Sequence, residues 1–422
     1  MRTVGVIVEY NPMHNGHVYH LEQSRKLAEA EAVVAVMSGH FLQRGEPAVC
    51  DKWARTDMAL AQGVDLVLEL PVAYAVQPAE WFAYGGVATL EATGVVDALC
   101  FGSEIGSLQP LQAAAAQLAD EPAAFAELLQ AGLKAGSSYP KAYAEAAGAL
   151  AQQGEGAKPE AQAPPQWLAE PNNSLGLHYM MALRRLGSAI EPLTIERMKA
   201  GYHDQSVNDS PIASATAIRR IVFGTEGLAE AAAYMPESSL HILKQLYIDA
   251  RPPVNWNSFN SQLLYRLATM THNELEMILE VTEGLEYRIL QSLPELTSPD
   301  VYQLLAALKT KRYTHTKLQR MLTHILLGHS KEAFGPEALS LGPSYIRVLG
   351  FTERGQALLK RMKRTASLPV IQRMTRENAD LGGANGLAAD ARATAVYATA
   401  FPQRNGRAAF RDYYESPRRP RA

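Results

Sequence analysis

The feature that most constrains this chain is the rhythm of its first hundred residues, where short β-branched apolar runs alternate with helix-patterned segments. Residues 4–8 and 32–37 read as strands buried on both faces, because their apolar residues run on without alternation, and residues 65–70, ended by Pro71, and 98–101 read as two more strands. Between them, residues 17–30, 51–62 and 77–93 carry helical spacing. In the first of these, Val18, Leu21 and Leu27 fall on one side and Glu22, Lys26 and Glu29 on the other. Strand, helix and strand in this order require right-handed crossovers and a parallel sheet, so the expectation is an α/β, Rossmann-like domain. A helix over 174–186 and a strand near 193–197 extend it, with Ala- and Leu-rich helices over 108–150. The polar, Pro-rich stretch 152–166 reads as a connection, and a loop over 200–213 leads into a helix opening near Thr216.

Beyond about residue 228 the rhythm changes. Amphipathic stretches at 238–247, 258–269, 272–279, 300–308 and 315–327 replace the strands. The expected division is therefore an α/β domain over 1–228 and a mostly α-helical domain over 229–422, with no element assigned to the Gly-, Ala- and Arg-rich tail from about 377. Charge divides the same way. Residues 1–229 hold 15 Lys+Arg against 25 Asp+Glu, and residues 230–422 hold 25 against 18. A basic half suggests a polyanionic partner; the plainer alternative is scattered charge on a solvated helical surface. The start of the chain lacks the pattern of a secretion signal, and no stretch approaches the ~20 apolar residues of a membrane span. Cys50 and Cys100 match no metal or disulfide spacing. These features point to a cytoplasmic protein with buried thiols, no membrane segment and no metal site.

Between the first strand and the first helix stands His14-Asn15-Gly16-His17. Parallel sheets present ligands at the carboxyl ends of their strands, and a helix that starts there offers free N–H groups and a positive dipole end to phosphate. Gly16 allows the backbone to come close, and two imidazoles beside it can donate hydrogen bonds to phosphate oxygens during in-line attack on an α-phosphate. Such chemistry needs positioning and charge stabilisation, with Mg²⁺ to neutralise a departing pyrophosphate. A zinc site on His14, His17 and His20 is the alternative, but no Cys or carboxylate nearby completes it. His20 is either a third phosphate contact or a helix-surface histidine. A second element, Ser214-Ala215-Thr216-Ala217-Ile218-Arg219, sets hydroxyls at a helix start and a guanidinium one turn in. Ser214 and Thr216 can cap the helix or hold phosphate, and Arg219 can clamp a pyrophosphate.

Together these residues resemble the bacterial tRNA(Met) cytidine acetate ligases. The resemblance runs through GVIVEYNPMHNGH, MSGHFLQRGEPAVCDKWAR (37–55), DLVLELP (65–71), FGSE (101–104), PNNSLGLHY (171–179) and SATAIR. It continues through KTKRYTHTKLQRMLTHILLG (309–328) and YIRVLGFTERGQALL (345–359), in order, to about residue 360. The Ala-rich stretch before Pro171 and the tail depart from it. The resemblance implies a nucleotidyltransferase (HUP-type) domain and a two-step reaction. ATP and acetate form acetyl-adenylate and pyrophosphate, and the acetyl group then passes to the exocyclic amine of the wobble cytidine of elongator tRNA(Met), giving N4-acetylcytidine. It implies no need for acetyl-CoA and no obligate protein partner.

Carried over by position, the ATP site falls on Ile7-Val8-Glu9-Tyr10-Asn11-Pro12-Met13-His14-Asn15-Gly16-His17-Val18-Tyr19-His20, on Gly102, on Asn172 and Asn173, and on Arg197. One asparagine of the pair should touch the nucleotide while the pair also caps a helix. His14 and His17, with Ser214, Thr216 and Arg219 on the pyrophosphate side, are the catalytic set. Lys52 and Arg55 are cations carried over the nucleotide or tRNA by a mobile loop, or else part of a solvated helix face; Gln43, Arg44 and Glu46 stand in a similar position. Lys309, Lys311, Arg312, Lys317 and Arg320, interleaved with Tyr313 and His315, form the candidate tRNA surface, its phosphate contacts adding salt dependence. Two other readings fit the same motifs: a small-molecule cofactor adenylyltransferase, which leaves the basic half unexplained, and a non-catalytic nucleotide- and tRNA-binding protein.

Overall fold

The computed structural model describes residues 1–118, 123–137, 139–152, 166–197, 212–225, 227–401 and 405–420. Most of the expected connection over 152–166 and most of the loop over 200–213 lie outside the described residues. A seven-stranded sheet carries the molecule. Its strands are β1 (Thr3–Val8), β2 (Ala32–Ser38), β3 (Leu66–Leu70), β4 (Ala98–Ser103), β5 (Glu191–Glu196), β6 (Ile346–Phe351) and β7 (Val370–Ile371). They lie in the order β5-β4-β1-β2-β3-β6-β7, and the first five are mutually parallel. Helices α1 (Asn15–Leu27), α2 (Lys52–Ala61), α3 (Ala79–Thr93) and α4 (Pro171–Arg185) connect or flank these strands. Every residue of β2 and β3 is buried, including Glu69 in β3, whose carboxylate is held by Lys52.

The sheet does not stop at the expected boundary. β6 pairs antiparallel with β3, setting Leu66 against Phe351 and Glu69 against Arg347. The sequence hides this strand because Arg347 interrupts its apolar run. In the structure Arg347 is buried and lies 3.6 Å from Asp412. Apart from β6 and the short β7 that pairs with it, the carboxyl-terminal half is mostly helical, as its periodicity indicates. It includes α5 (Ala215–Val222, at the junction), α6 (Val301–Leu308), α7 (His315–Leu327), α8 (Glu353–Thr365) and α9 (Leu387–Ala398).

Lys52 and Arg55 correct both readings made of them, for they are neither loop cations nor part of a solvated face. Both are fully buried. Lys52 binds Glu69 at 2.7 Å and Asp412 at 2.9 Å, tying α2 to β3 and to the end of the chain. Arg55 donates to the carbonyls of Glu9 (2.7 Å), Ser38 (2.9 Å), Cys50 (3.2 Å) and Gly39. It therefore pins the carboxyl ends of β1 and β2 together. Buried charges persist only when partnered in this way.

Candidate functional site

From β1 the chain moves to β2 on one side and returns with β4 on the other, so a crevice opens at their carboxyl ends, where this sheet class binds ligands. The turn after β1 fills its mouth. His14 is the N-cap of α1 in extended conformation. Its Nδ1 accepts the Gly16 N–H at 3.1 Å, and Nδ1 of His17 accepts the His14 N–H at 3.3 Å. This is a reciprocal capping box built from two histidines. A ring nitrogen that accepts a hydrogen bond carries no proton, so each neutral imidazole keeps its proton on Nε2. Burial first, then the Arg197 and Arg219 guanidiniums, lower His14 to about 3. Burial, then His14 and His20, hold His17 well below the ordinary histidine value. The ring centres stand 3.7 Å apart. The pair is thus two neutral, pre-oriented N–H donors.

The second motif folds onto the first. Arg219 donates to the Asn11 carbonyl at 3.2 Å and to the Thr216 hydroxyl at 3.3 Å, and pairs with Glu46 at 3.1 Å. Ser214 is the N-cap of α5, accepting the Ala217 N–H at 3.2 Å. A methyl added at Gly16 would meet His14 Cε1 at 3.0 Å and Ile212 at 3.4 Å, which shows how closely the two segments approach. On the opposite side a methyl at Gly102 would sit 3.0 Å from Arg197 Cγ. Arg197 in turn binds the Asn172 side-chain oxygen at 3.1 Å. The asparagine pair divides its work. Asn173 is buried, accepting the Ile105 N–H and donating to the Trp167 carbonyl. Asn172 stays partly open beside Arg197. The backbone N–H groups of both end on the Glu104 carboxylate, which caps α4.

Within the expected segment 7–20, the side chains of Tyr10 and Met13 belong to the core, and Val8 and Val18 pack against it. Pro12 is buried; Ile7, Asn15 and Tyr19 are partly exposed. Asn11 accepts the Val49 N–H at 2.7 Å, and Asn15 donates to the Ala233 carbonyl at 3.3 Å. Glu9 accepts the Gln43 N–H at 2.7 Å, and burial raises its pKa. Gln43 also donates to the Gln77 carbonyl at 3.1 Å, while Arg44 is exposed. His20 is partly exposed, with its Nε2 buried and without a partner among the described residues. Burial, then Arg197, lower its pKa to about 4. Among the described residues no group of three His, Cys, Asp or Glu is placed to hold a metal ion.

The basic run is less free than its sequence suggests. Arg312 pairs with Glu283 at 2.5 Å and Arg320 with Glu280 at 2.8 Å. Lys309 donates to the Thr310 and Tyr313 carbonyls, and Lys317 is partly buried against residues 280–282. Lys311 is exposed, with no ion pair among the described residues. Helix α7 docks on the loop 41–47: Gln319 donates to the Arg44 carbonyl and Thr323 to the Gly45 carbonyl. That loop also supplies Gln43 to Glu9 and Glu46 to Arg219, so the basic helix and the crevice share one wall.

No described helix is long and apolar enough to cross a membrane. The family model of the HIGH nucleotidyl transferases matches residues 1–412. A Lysinibacillus sphaericus protein named tRNA(Met) cytidine acetate ligase is 44% identical over 379 residues, covering 90% of this chain and 91% of its own. One of the same name from Thermoanaerobacter sp. is 38% identical over 403 residues, covering 95% and 96%. The crystal structure of Thermotoga maritima TmcAL bound with alpha-thio ATP superposes with a TM-score of 0.88 at 34% identity, covering 99% of each chain. With its crevice, its paired histidines and these relatives, the chain belongs to the HIGH nucleotidyl transferase family and, within it, to the tRNA(Met) cytidine acetate ligases.

Proposed function

We propose that the chain activates acetate with ATP and passes the acetyl group to the exocyclic amine of the wobble cytidine of elongator tRNA(Met), forming N4-acetylcytidine. The observation that carries this reading is the reciprocal cap of His14 and His17, which leaves both Nε2–H groups as donors. In the first step an acetate oxygen attacks the α-phosphorus of ATP and pyrophosphate leaves. His14 and His17 donate to the phosphate oxygens as charge builds, and Arg219 with Thr216 takes the pyrophosphate side. Asn172 and Arg197, beside Gly102, hold the nucleoside end. Mg²⁺ on ATP would neutralise the departing pyrophosphate, with ligands drawn mainly from phosphate oxygens. In the second step the cytidine amine attacks the acetyl carbon, the bond to AMP breaks, and the amine gives up a proton. A free carboxylate is a poor acyl donor and an aromatic amine a weak nucleophile, so adenylation supplies the leaving group that acetyl-CoA would otherwise bring. The helical half from residue 229 supplies the tRNA surface, with Lys311 and Arg312 among its exposed cations.

The test is pyrophosphate release from ATP. It should require acetate and proceed without acetyl-CoA, and labelled acetyl should then move to the tRNA. Release with pantetheine phosphate or a mononucleotide, but never with acetate, would replace this reading with that of a cofactor adenylyltransferase.

A further inference from the structure

Acetyl transfer needs a proton acceptor, because the cytidine amine sheds a proton as it becomes an amide. The histidine pair cannot be that acceptor. Nδ1 of His14 already accepts the Gly16 N–H and Nδ1 of His17 the His14 N–H, and in both neutral rings Nε2 carries the proton. Burial makes an imidazole a weaker base and a carboxylate a stronger one, since it penalises the charged form of each. It lowers His20 to about 4 and raises Glu9 above the ordinary 4.5, so Glu9 is the stronger base of the two.

Glu9 follows β1 directly, at the strand end that opens on the crevice and ahead of the His14 turn. Arg55 holds its backbone carbonyl at 2.7 Å, and the Gln43 N–H holds its Oε1 at 2.7 Å. Oε2 makes no hydrogen bond among the described residues, and the side chain is partly exposed. The neighbouring carboxylates are otherwise engaged or placed. Both oxygens of Glu104 take the Asn172 and Asn173 N–H groups, Glu46 pairs with Arg219 at 3.1 Å, and Glu69 holds Lys52. Glu196 ends β5, which β4 separates from β1. The charged and titratable groups that face Glu9 are Arg44 and Glu46 from the loop 41–47, Arg55 from α2, Tyr179 from α4 and Arg219 from α5. Burial outweighs the Gln43 N–H and the Arg219 and Arg44 guanidiniums, which pull the other way. One oxygen is thus anchored, and the other is left to take a proton.

We propose that Oε2 of Glu9 takes the proton that the cytidine amine gives up during acetyl transfer. The amine lone pair forms the bond to the acetyl carbon, and the bond from that carbon to the AMP oxygen breaks with its electrons left on the phosphate. The proton passes from nitrogen to Glu9, and the neutral carboxyl returns it to solvent. The nucleophile and the leaving group rest on the acetyl-transfer reading. For the test, synthetic acetyl-adenylate and an anticodon-arm RNA hairpin are given to the full chain in single turnover between pH 5 and 8, with hairpin binding titrated alongside. Glu9→Gln keeps an oxygen for the Gln43 N–H but cannot take a proton; Glu9→Asp keeps the carboxylate on a shorter stem. In the unaltered chain the transfer rate should rise with pH through a titration above the ordinary carboxyl value of 4.5. Glu9→Gln should slow transfer about 100- to 10,000-fold, the usual share of one general base, and abolish that rise, which Glu9→Asp keeps. A fall in transfer no larger than the fall in hairpin binding would overturn the proposal. So would a pH rise that survives in Glu9→Gln or is missing from the unaltered chain. Each of these leaves the acetyl-transfer reading standing, whereas no transfer at all by the unaltered chain would overturn both.

Discussion

At His14 and His17 the two backbone N–H groups that close the first turn of α1 also fix which ring nitrogen carries the proton. Residue chemistry and helix capping are one event here, and both imidazoles stay neutral because they are buried, His14 beside Arg197 and Arg219 and His17 beside His14, His20 and Arg197. Two outcomes follow at this scale. His17→Ala should slow acetate-dependent pyrophosphate release about 100- to 1000-fold, the usual cost of losing one such donor, with tRNA binding retained in a filter or gel-shift titration. Equal loss of both would mean that the variant misfolds. The second concerns pH. His14 titrates near 3 and His20 near 4 when folded, below their ordinary 6.5. Between those values the unfolded chain binds protons that the folded chain refuses, so stability rises with pH across the window and is lost as pH falls from 6.5 towards 4. His178 (about 4) and His324 (about 3) act in the same direction. Urea midpoints should therefore drop between pH 7 and 5. The pyrophosphate-release rate should show no imidazole step near pH 6.5; a clear step there would contradict two neutral donors.

Elements were legible in the sequence wherever their pattern was local. The strand expected over 4–8 is Thr3–Val8, and the helix expected over 315–327 is His315–Leu327. β6 escaped notice because its arginine reads as surface until its partner is known. The docking of α7 on the loop 41–47 was also invisible, since nothing in either segment names the other. Gly45 is the sharpest point of that contact: its φ is +79°, and an added Cβ would come within 2.2 Å of the Arg320 nitrogen. Gly45→Ala should thus destabilise the chain by more than the ~1 kcal/mol of an ordinary glycine change, read as a lower urea midpoint, and loosen the wall beside Glu9. On the outer face of the same region, replacing Lys311 and Arg312 together by alanine should weaken tRNA binding. The slope of log K against log salt should flatten by roughly 1.4–1.8, the share of two phosphate contacts. An unchanged slope would remove this surface from the RNA interface.

Across the whole molecule, an early helix and a late segment of the chain meet. Lys52 and Asp412 are 360 residues apart, yet the buried ammonium sits between Glu69 and Asp412. Lys52→Met should cost about 3–5 kcal/mol in urea unfolding, because two buried carboxylates lose their shared cation. A fragment ending at residue 228 keeps Lys52 and Glu69 but loses β6 and Asp412, and should show no cooperative unfolding transition by circular dichroism. Chain order alone was enough for the parallel sheet, the histidine-bearing turn after β1 and the helical character of the second half, because strand and helix periodicity and a turn of four residues are short-range properties. Packing between distant segments settled that Arg219 closes on Asn11, that Asn172 rather than Asn173 stays beside the crevice, and that Lys52 and Arg55 are buried. The reason is physical: the charge state and role of a polar side chain follow from its desolvation and its partners, and those partners come from segments that chain order leaves far apart.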